Sequence, residues 1–283
     1  MENPAPALPN RIDAMFVRLR AEGRKAFVTY TVAADPTFDA SLAMLHEFVS
    51  AGIDLIELGY PFSDPILDGA TIQKANRRAL AAGGNLQRTL DLCKAFRRHD
   101  STTPVVLMGY ANPLAVMGYE RFAERAADAG VDGIIAGDFP IREASPLLAA
   151  LDRHGLVMIP MAAPSLSPAD YAVDKPGIGG FLYCIPVVGP TGGPSASTDA
   201  IVQAVERCRQ HSRLPVMVGF GVKTPDMAAG VASVADGVIV ATALIDQFDR
   251  LRASELRGTA FDDAVRANVQ AFRQAIDRPW RGA

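Results

Sequence analysis

The sequence predicts an α/β protein: a single (β/α)8 TIM barrel with an N-terminal helix covering the barrel floor. Three observations carry that expectation. Short apolar or β-branched runs alternate with stretches of helical spacing eight times along 283 residues, and such alternation implies a parallel sheet. The length suits one closed barrel. No linker divides the chain, so residues 1–283 read as one domain, with 1–9 (MENPAPALP) as a flexible arm. An open, doubly wound sheet that binds a dinucleotide needs a GxGxxG turn after its first strand, and the turn here is AADPT.

Residues 11–22 have helical spacing at Ile12, Met15, Phe16 and Leu19, which suits a plug for the floor. The strands follow in order as 26–32 (AFVTYTV), 53–58 (IDLIEL), 104–109 (PVVLMG), 131–136 (VDGIIA), 156–161 (LVMIPM), 180–185 (GFLYCI), 214–219 (LPVMVG) and 236–241 (DGVIVA). Helices are expected over 38–51, from Ile72, and over 86–99, 119–129, 143–154, 168–173, 199–211, 225–231 and 243–276. Pro- and Gly-rich stretches fall where the βα loops belong.

Hydrophobic residues make up 49% of the chain, ample for a core of this size, and the net charge is −3. That balance gives no electrostatic case for nucleic acid or an anionic membrane. Cys93, Cys184 and Cys208 are far apart and odd in number, so a reduced cytoplasmic setting is expected and no metal site. The start lacks a basic region followed by an apolar one, and no apolar run reaches spanning length.

Residues 53–73 (IDLIELGYPFSDPILDGATIQ) concentrate the chemistry. Glu57 interrupts a strand that reads as buried on both faces, and a buried charge is costly unless paired or neutralised. A structural ion pair and an acid/base catalyst explain one such acid about equally. A second acid, Asp68, on the Pro/Gly-framed loop just after the same strand favours catalysis. Thr71 is a candidate cap for the next helix.

Barrel chemistry sits at the C-terminal ends of the strands. Tyr30 ends the first, where taken alone it reads as a packed aromatic, and Asp35 reads as a turn or cap residue. Met108 and Tyr110, with Asn112, end the third, where they suit the wall of a flat apolar ligand or plain core packing. Asp138 follows the fourth, in AGDFP. Tyr183 lies in the sixth, as a site phenol or a core tyrosine. Small residues follow the last three strands: 189–193 (GPTGG), 219–221 (GFG), and Ala241 with Thr242. Together they suit backbone N–H groups approaching a phosphate.

ELGYPFSDPILDGATIQKA resembles the second strand and loop of the tryptophan synthase alpha chain family, and the likeness runs from AFVTYTVAADP to DGVIVATALI. The resemblance implies a lyase that cleaves indole-3-glycerol phosphate to indole and glyceraldehyde 3-phosphate in tryptophan biosynthesis. It implies no cofactor or metal, a tryptophan synthase beta chain partner in an alpha2beta2 assembly, and a cytoplasmic location. Carried over by position, Glu57 and Asp68 match the catalytic acids and Tyr183 the tyrosine beside the glutamate. Tyr30, Met108 and Thr191 match positions around the indole; Gly192, Gly221, Ala241 and Thr242 match the phosphate cradle. Asp138 matches an acid that shapes its loop.

Departures from the family pattern are specific. The loop after the sixth strand reads PVVGPTGG, with Pro186 and Pro190 lowering its expected flexibility. Ala241-Thr242 replaces Gly-Ser, Ala34 replaces a glycine, and Tyr60 stands where a smaller aliphatic residue is common, next to the expected beta-chain surface. A stand-alone paralogue acting on a related aryl-glycerol phosphate, and a weakly catalytic barrel that activates a partner, are the competing readings.

Overall fold

The computed structural model describes residues 10–171, 174–187, 197–219 and 221–278. The expected arm 1–9, Thr191 and Gly192 lie outside them. Nine parallel strands form one sheet: β1 (Ala26–Val32), β2 (Leu55–Gly59), β3 (Val105–Gly109), β4 (Gly133–Ala136), β5 (Val157–Met158), β6 (Met161–Ala162), β7 (Leu182–Cys184), β8 (Val216–Val218) and β9 (Gly237–Val240). Their order is β5-β4-β3-β2-β1-β9-β8-β7-β6.

The two ends of that order are halves of one stave. The expected fifth strand is interrupted at Ile159-Pro160, where Pro160 has no N–H to donate. On one side Val157 and Ile159 donate to Asp132 and Ile134 at 3.3 and 2.9 Å. On the other, Tyr183 and Ile185 donate to Pro160 and Ala162 at 2.9 and 2.8 Å. The stave is bonded on both edges, so the sheet closes into a barrel.

The helices are α1 (Arg11–Ala21), α2 (Phe38–Ser50), α3 (Ala70–Ala81), α4 (Leu86–Phe96), α5 (Ala111–Met117), α6 (Tyr119–Asp128), α7 (Ser145–Arg153), α8 (Pro168–Tyr171), α9 (Thr198–His211), α10 (Pro225–Val234), α11 (Thr242–Ala253) and α12 (Thr259–Ile276). Strand parity sorts the core. Phe27, Ile56, Leu58, Val105, Leu107 and Ile134 face outward to the helices. Val28, Leu55, Val106, Ile135, Phe181, Met217 and Ile239 face inward and meet Ile12, Met15, Phe16 and Leu19 of α1. Helix α1 therefore closes the floor, and the free volume lies at the opposite rim.

Three aspartates recur where strands begin. Asp54, Asp132 and Asp236 immediately precede β2, β4 and β9. They accept the N–H groups of Phe27, Val105 and Val216 at 3.0, 2.8 and 2.8 Å. Each also meets arginine: Arg273 on Asp54 and Arg97 on Asp132, both at 2.9 Å, and Arg209 on Asp236 at 3.4 Å. The charges hold neighbouring staves in register at the closed end.

Several local expectations are corrected. The tail is two helices, parted at residues 254–258, where Gly258 has φ +57°. Thr71 caps nothing: Gly69 precedes α3, and the Thr71 hydroxyl bonds Asp246 of α11 at 2.8 Å. Asp35 is no cap either. Thr37 caps α2, while Asp35 is buried and paired with Arg78 through contacts of 2.7 and 2.8 Å. Ala34, in place of a glycine, holds a left-handed φ of 63°, which costs an L-residue roughly 1–2 kcal/mol.

Candidate active site

Glu57 stands in β2 in register with Tyr30 of β1 and Val106 of β3, pointing into the barrel. It is 0% exposed, and neither carboxyl oxygen has a hydrogen-bond partner among the described residues. Burial alone pushes its carboxyl up to about 8, because the charged form has lost water without gaining a donor.

Above it a cavity of about 350 Å³ opens at the C-terminal rim. Tyr30, Met108, Tyr183 and Asp68 all line it, with Tyr60, Asn76, Tyr110, Ile185 and Gly219. Glu57 is not on the wall. Its carboxyl is close enough to Tyr30 and Tyr183, both on the wall, for its charge to add to the burial that raises both phenols' pKa values. Burial is the first cause of both shifts.

Asp68 hangs over the same cavity from the loop after β2. Asn76 of α3 donates to it at 3.2 Å, and Tyr110 lines the same wall. Burial pushes Asp68 up to about 6, with Tyr110 and Asn76 pulling the other way. The acid-rich loop suggests a well-solvated carboxylate; the cavity wall makes it a partly desolvated one.

Three tyrosines of the site stand on glycines of the adjoining strand. A β-carbon at Gly59 would collide with Tyr30, one at Gly109 with Tyr60, and one at Gly219 with Tyr183. The Tyr183 hydroxyl donates to the Gly219 carbonyl at 3.0 Å rather than to Glu57. Tyr60 is 2% exposed; its ring fills the space over Gly109, which explains a large aromatic at a position suited to an aliphatic residue.

The remaining expected residues sit around the rim. Thr242 is the first residue of α11, whose N-terminus carries no side-chain cap, with Ala241 just before it. A helix start of that kind presents N–H groups and positive dipole to an anion. Gly221 follows β8 with φ +72°. Asp138 accepts from the Ala111 N–H at 2.8 Å and so shapes the β3 loop. Asn112 is exposed within α5 and lines no part of the cavity. Asn76 was not singled out from the sequence. Its one signal is a polar amide on the buried face of a helix, eight residues beyond Asp68.

The whole-chain comparison agrees with this geometry. The family model described as tryptophan synthase alpha chain matches residues 16–276. The chain belongs to the tryptophan synthase alpha chain family. It is 52% identical over 237 residues to the alpha chain of Phenylobacterium zucineum, covering 84% of this chain and 86% of that one. It is 42% identical over 268 residues to that of Nitrosococcus oceani, covering 95% and 98%. The crystal structure of tryptophan synthase subunit alpha from Legionella pneumophila superposes with a TM-score of 0.88 at 37% identity, covering 95% of this chain and 99% of that one. A tryptophan synthase structure from M. tuberculosis gives 0.81 at 32% identity, covering 95% and 99%. The chain is thus a lyase of tryptophan biosynthesis that cleaves indole-3-glycerol phosphate to indole and glyceraldehyde 3-phosphate. Among the described residues, no helix is long and apolar enough to cross a membrane.

Proposed function

We propose that Glu57 moves the protons of the cleavage and that Asp68 stabilises the positive charge of its intermediate. A protonated Glu57 donates to indole C3. The ring nitrogen then bears positive charge, and the Asp68 carboxylate accepts its N–H and stabilises it. Glu57, now ionised, takes the proton of the glycerol hydroxyl next to the scissile bond. The C–O bond becomes a carbonyl, the C–C bond breaks, and its electron pair restores the aromatic indole. The observation that carries this assignment is a pair of carboxyls at one cavity with separated pKa values, about 8 for Glu57 and about 6 for Asp68. Between those values the acid is protonated and the partner is ionised, as the first step requires.

Glu57 starts beneath the wall, so it turns its carboxyl upward as the substrate arrives. Its two unsatisfied oxygens favour that move, since an unpartnered buried acceptor is costly. Tyr183, fixed on Gly219, walls the acid from the side. Tyr30 and Met108 flank the indole, with Thr191 over it. Gly192, Gly221, Ala241 and Thr242 hold the phosphate and supply positioning energy. The protein works in the cytoplasm with a beta chain in an alpha2beta2 assembly, and exposed Ile66 and Val116 beside the rim offer apolar contact to that partner.

The test is indole release from indole-3-glycerol phosphate by Glu57→Gln and Asp68→Asn, each checked for folding by circular dichroism. Both variants are expected to lose at least about a hundredfold in kcat, the range of a removed acid–base group. Parental turnover in Glu57→Gln rejects the assignment.

A further inference from the structure

We propose that Tyr60 is a positioning residue for Asp68: it clamps Tyr110 at the end of β3, and the Tyr110 hydroxyl in turn holds Leu67, the residue before Asp68. The inference rests on the role given to Asp68 above, and adds a residue that acts through another rather than on substrate.

The contacts form a chain across two strand ends. The Tyr60 N–H donates to the Met108 carbonyl at 3.1 Å, and its hydroxyl donates to the Tyr110 carbonyl at 2.7 Å. The ring lies on Gly109, with no room for a side chain there. Tyr60 therefore grips the last two residues of β3 and the residue that follows them. From the other flank, Gly137 donates to the Gly109 carbonyl at 3.0 Å, and Asp138 takes the Ala111 N–H at 2.8 Å. The backbone of Tyr110 is thus held between the loops after β2 and β4.

The side chain of Tyr110 reaches back over the loop that carries Asp68. Its ring packs on Phe62 at 5.4 Å, and its hydroxyl accepts the Leu67 N–H at 3.1 Å. That bond keeps the phenol near Asp68, the next residue, on the same cavity wall. A donor on a carboxylate favours its ionised form. Asn76 supplies one and also anchors the loop, accepting the Phe62 N–H at 3.1 Å.

The charged groups around Asp68 leave this task to Tyr110 and Asn76. The phenols of Tyr30 and Tyr110 line the cavity with it; Glu57 and Tyr183 also act on Tyr30, and Asp138 on Tyr110. No lysine or arginine lines the cavity among the described residues. Burial raises the Asp68 carboxyl, and Asn76 and the Tyr110 phenol, not a counter-ion, oppose it, so the placement of that phenol contributes to the pH at which Asp68 works.

The experiment compares Tyr60→Phe, Tyr110→Phe and the double variant by the pH profile of kcat/KM for indole release, with Asp68 also followed by carboxyl carbon NMR. Asp68→Asn assigns that resonance. The parent titrates near 6. Losing the lowering influence of the Tyr110 phenol on the carboxyl is expected to move the midpoint and the acidic limb up by about one pH unit in Tyr110→Phe and about half a unit in Tyr60→Phe. Tyr60→Phe should add nothing in the Tyr110→Phe background, where the link is already cut. An unmoved midpoint in Tyr60→Phe, or equal shifts in both backgrounds, overturns the proposal; so does lower turnover with an unmoved limb, the mark of a merely structural part. Full turnover in Asp68→Asn would instead reject the role of Asp68, while the NMR midpoint still judges the clamp.

Discussion

The Tyr183 hydroxyl donates to the Gly219 carbonyl at 3.0 Å, and its ring occupies the place a β-carbon on Gly219 would take. Strand β7 therefore sets its phenol against the end of β8, and only a glycine at position 219 allows it. Gly219→Ala forces Tyr183 out of its rotamer, at a cost of about 1–3 kcal/mol for an overpacked core position. The ring then moves into the cavity above Glu57. We expect kcat/KM for indole release to fall at least about tenfold, the scale of a misplaced site group, with a lower urea midpoint. A Gly219→Ala variant with parental kcat/KM and stability contradicts this packing.

Glu57 makes the stability of the fold depend on pH. Its folded pKa of about 8 lies above the ordinary value of 4.5. Below 4.5 the carboxyl is protonated in both the folded and unfolded chains and contributes no difference. As pH rises toward 8 the unfolded chain ionises first, so the folded state loses stability across that window and keeps the deficit above it. At 1.36 kcal/mol per unit the deficit is about 5 kcal/mol, an upper bound once the side chain relaxes into the cavity. Glu57→Gln removes it. Urea denaturation should find the variant near the parent at pH 4.5 and several kcal/mol more stable at pH 9, and a constant difference across that range would show the site is wet.

The sequence made the barrel legible because its two periods are strong. Runs such as 26–32 and 131–136 cannot be helices, and α1 declares its buried stripe at Ile12, Met15, Phe16 and Leu19. Glu57 was legible as one acid in an apolar strand. What escaped were contacts made across the chain. Nothing local to Thr71 reveals that its hydroxyl goes to Asp246, 175 residues away. Asn76 looks like an ordinary helix residue until Asp68 is folded over it. Tyr60 looks out of place until Gly109 is seen beneath its ring. The break at Pro160 was readable as a missing donor, but not its consequence, a stave shared in halves by its two neighbours.

Activity should be bell-shaped in pH. The first proton transfer needs Glu57 protonated and Asp68 ionised, so kcat/KM rises as pH passes the Asp68 value near 6 and falls past the Glu57 value near 8. Burial, not the other acid, raises each carboxyl, so each limb reports its own residue. Glu57→Asp, with a shorter acid drawn back into the barrel, is expected to lose kcat while the acidic limb stays. A rate that climbs steadily through pH 9 would mean that ionised Glu57, not its acid form, starts the reaction.

At the closed end, Arg273 is the counterpart of this chemistry and serves stability alone. It is 7% exposed on α12. Its guanidinium donates to Asp54 at 2.9 Å and to the Lys25 carbonyl at 3.1 Å, joining the last helix to the start of the barrel. Asp54 also holds the Phe27 N–H at 3.0 Å, so the pair fixes β1 beside β2. Arg273→Met keeps the stem that packs on Gly52 but strands a buried carboxylate, which costs about 3 kcal/mol, near the low end for a broken buried pair because other donors remain. Burial already raises the Asp54 pKa, and losing the cation raises it further. The deficit of the variant therefore grows as pH rises through that value and shrinks in acid, where Asp54 is neutral in both states. Denaturation at pH 4 and pH 7 should show the smaller loss at pH 4. Indole release at 25 °C should be unchanged, since the catalytic rim is at the other end of the barrel; a variant that stays folded yet loses turnover would tie the floor to the active site.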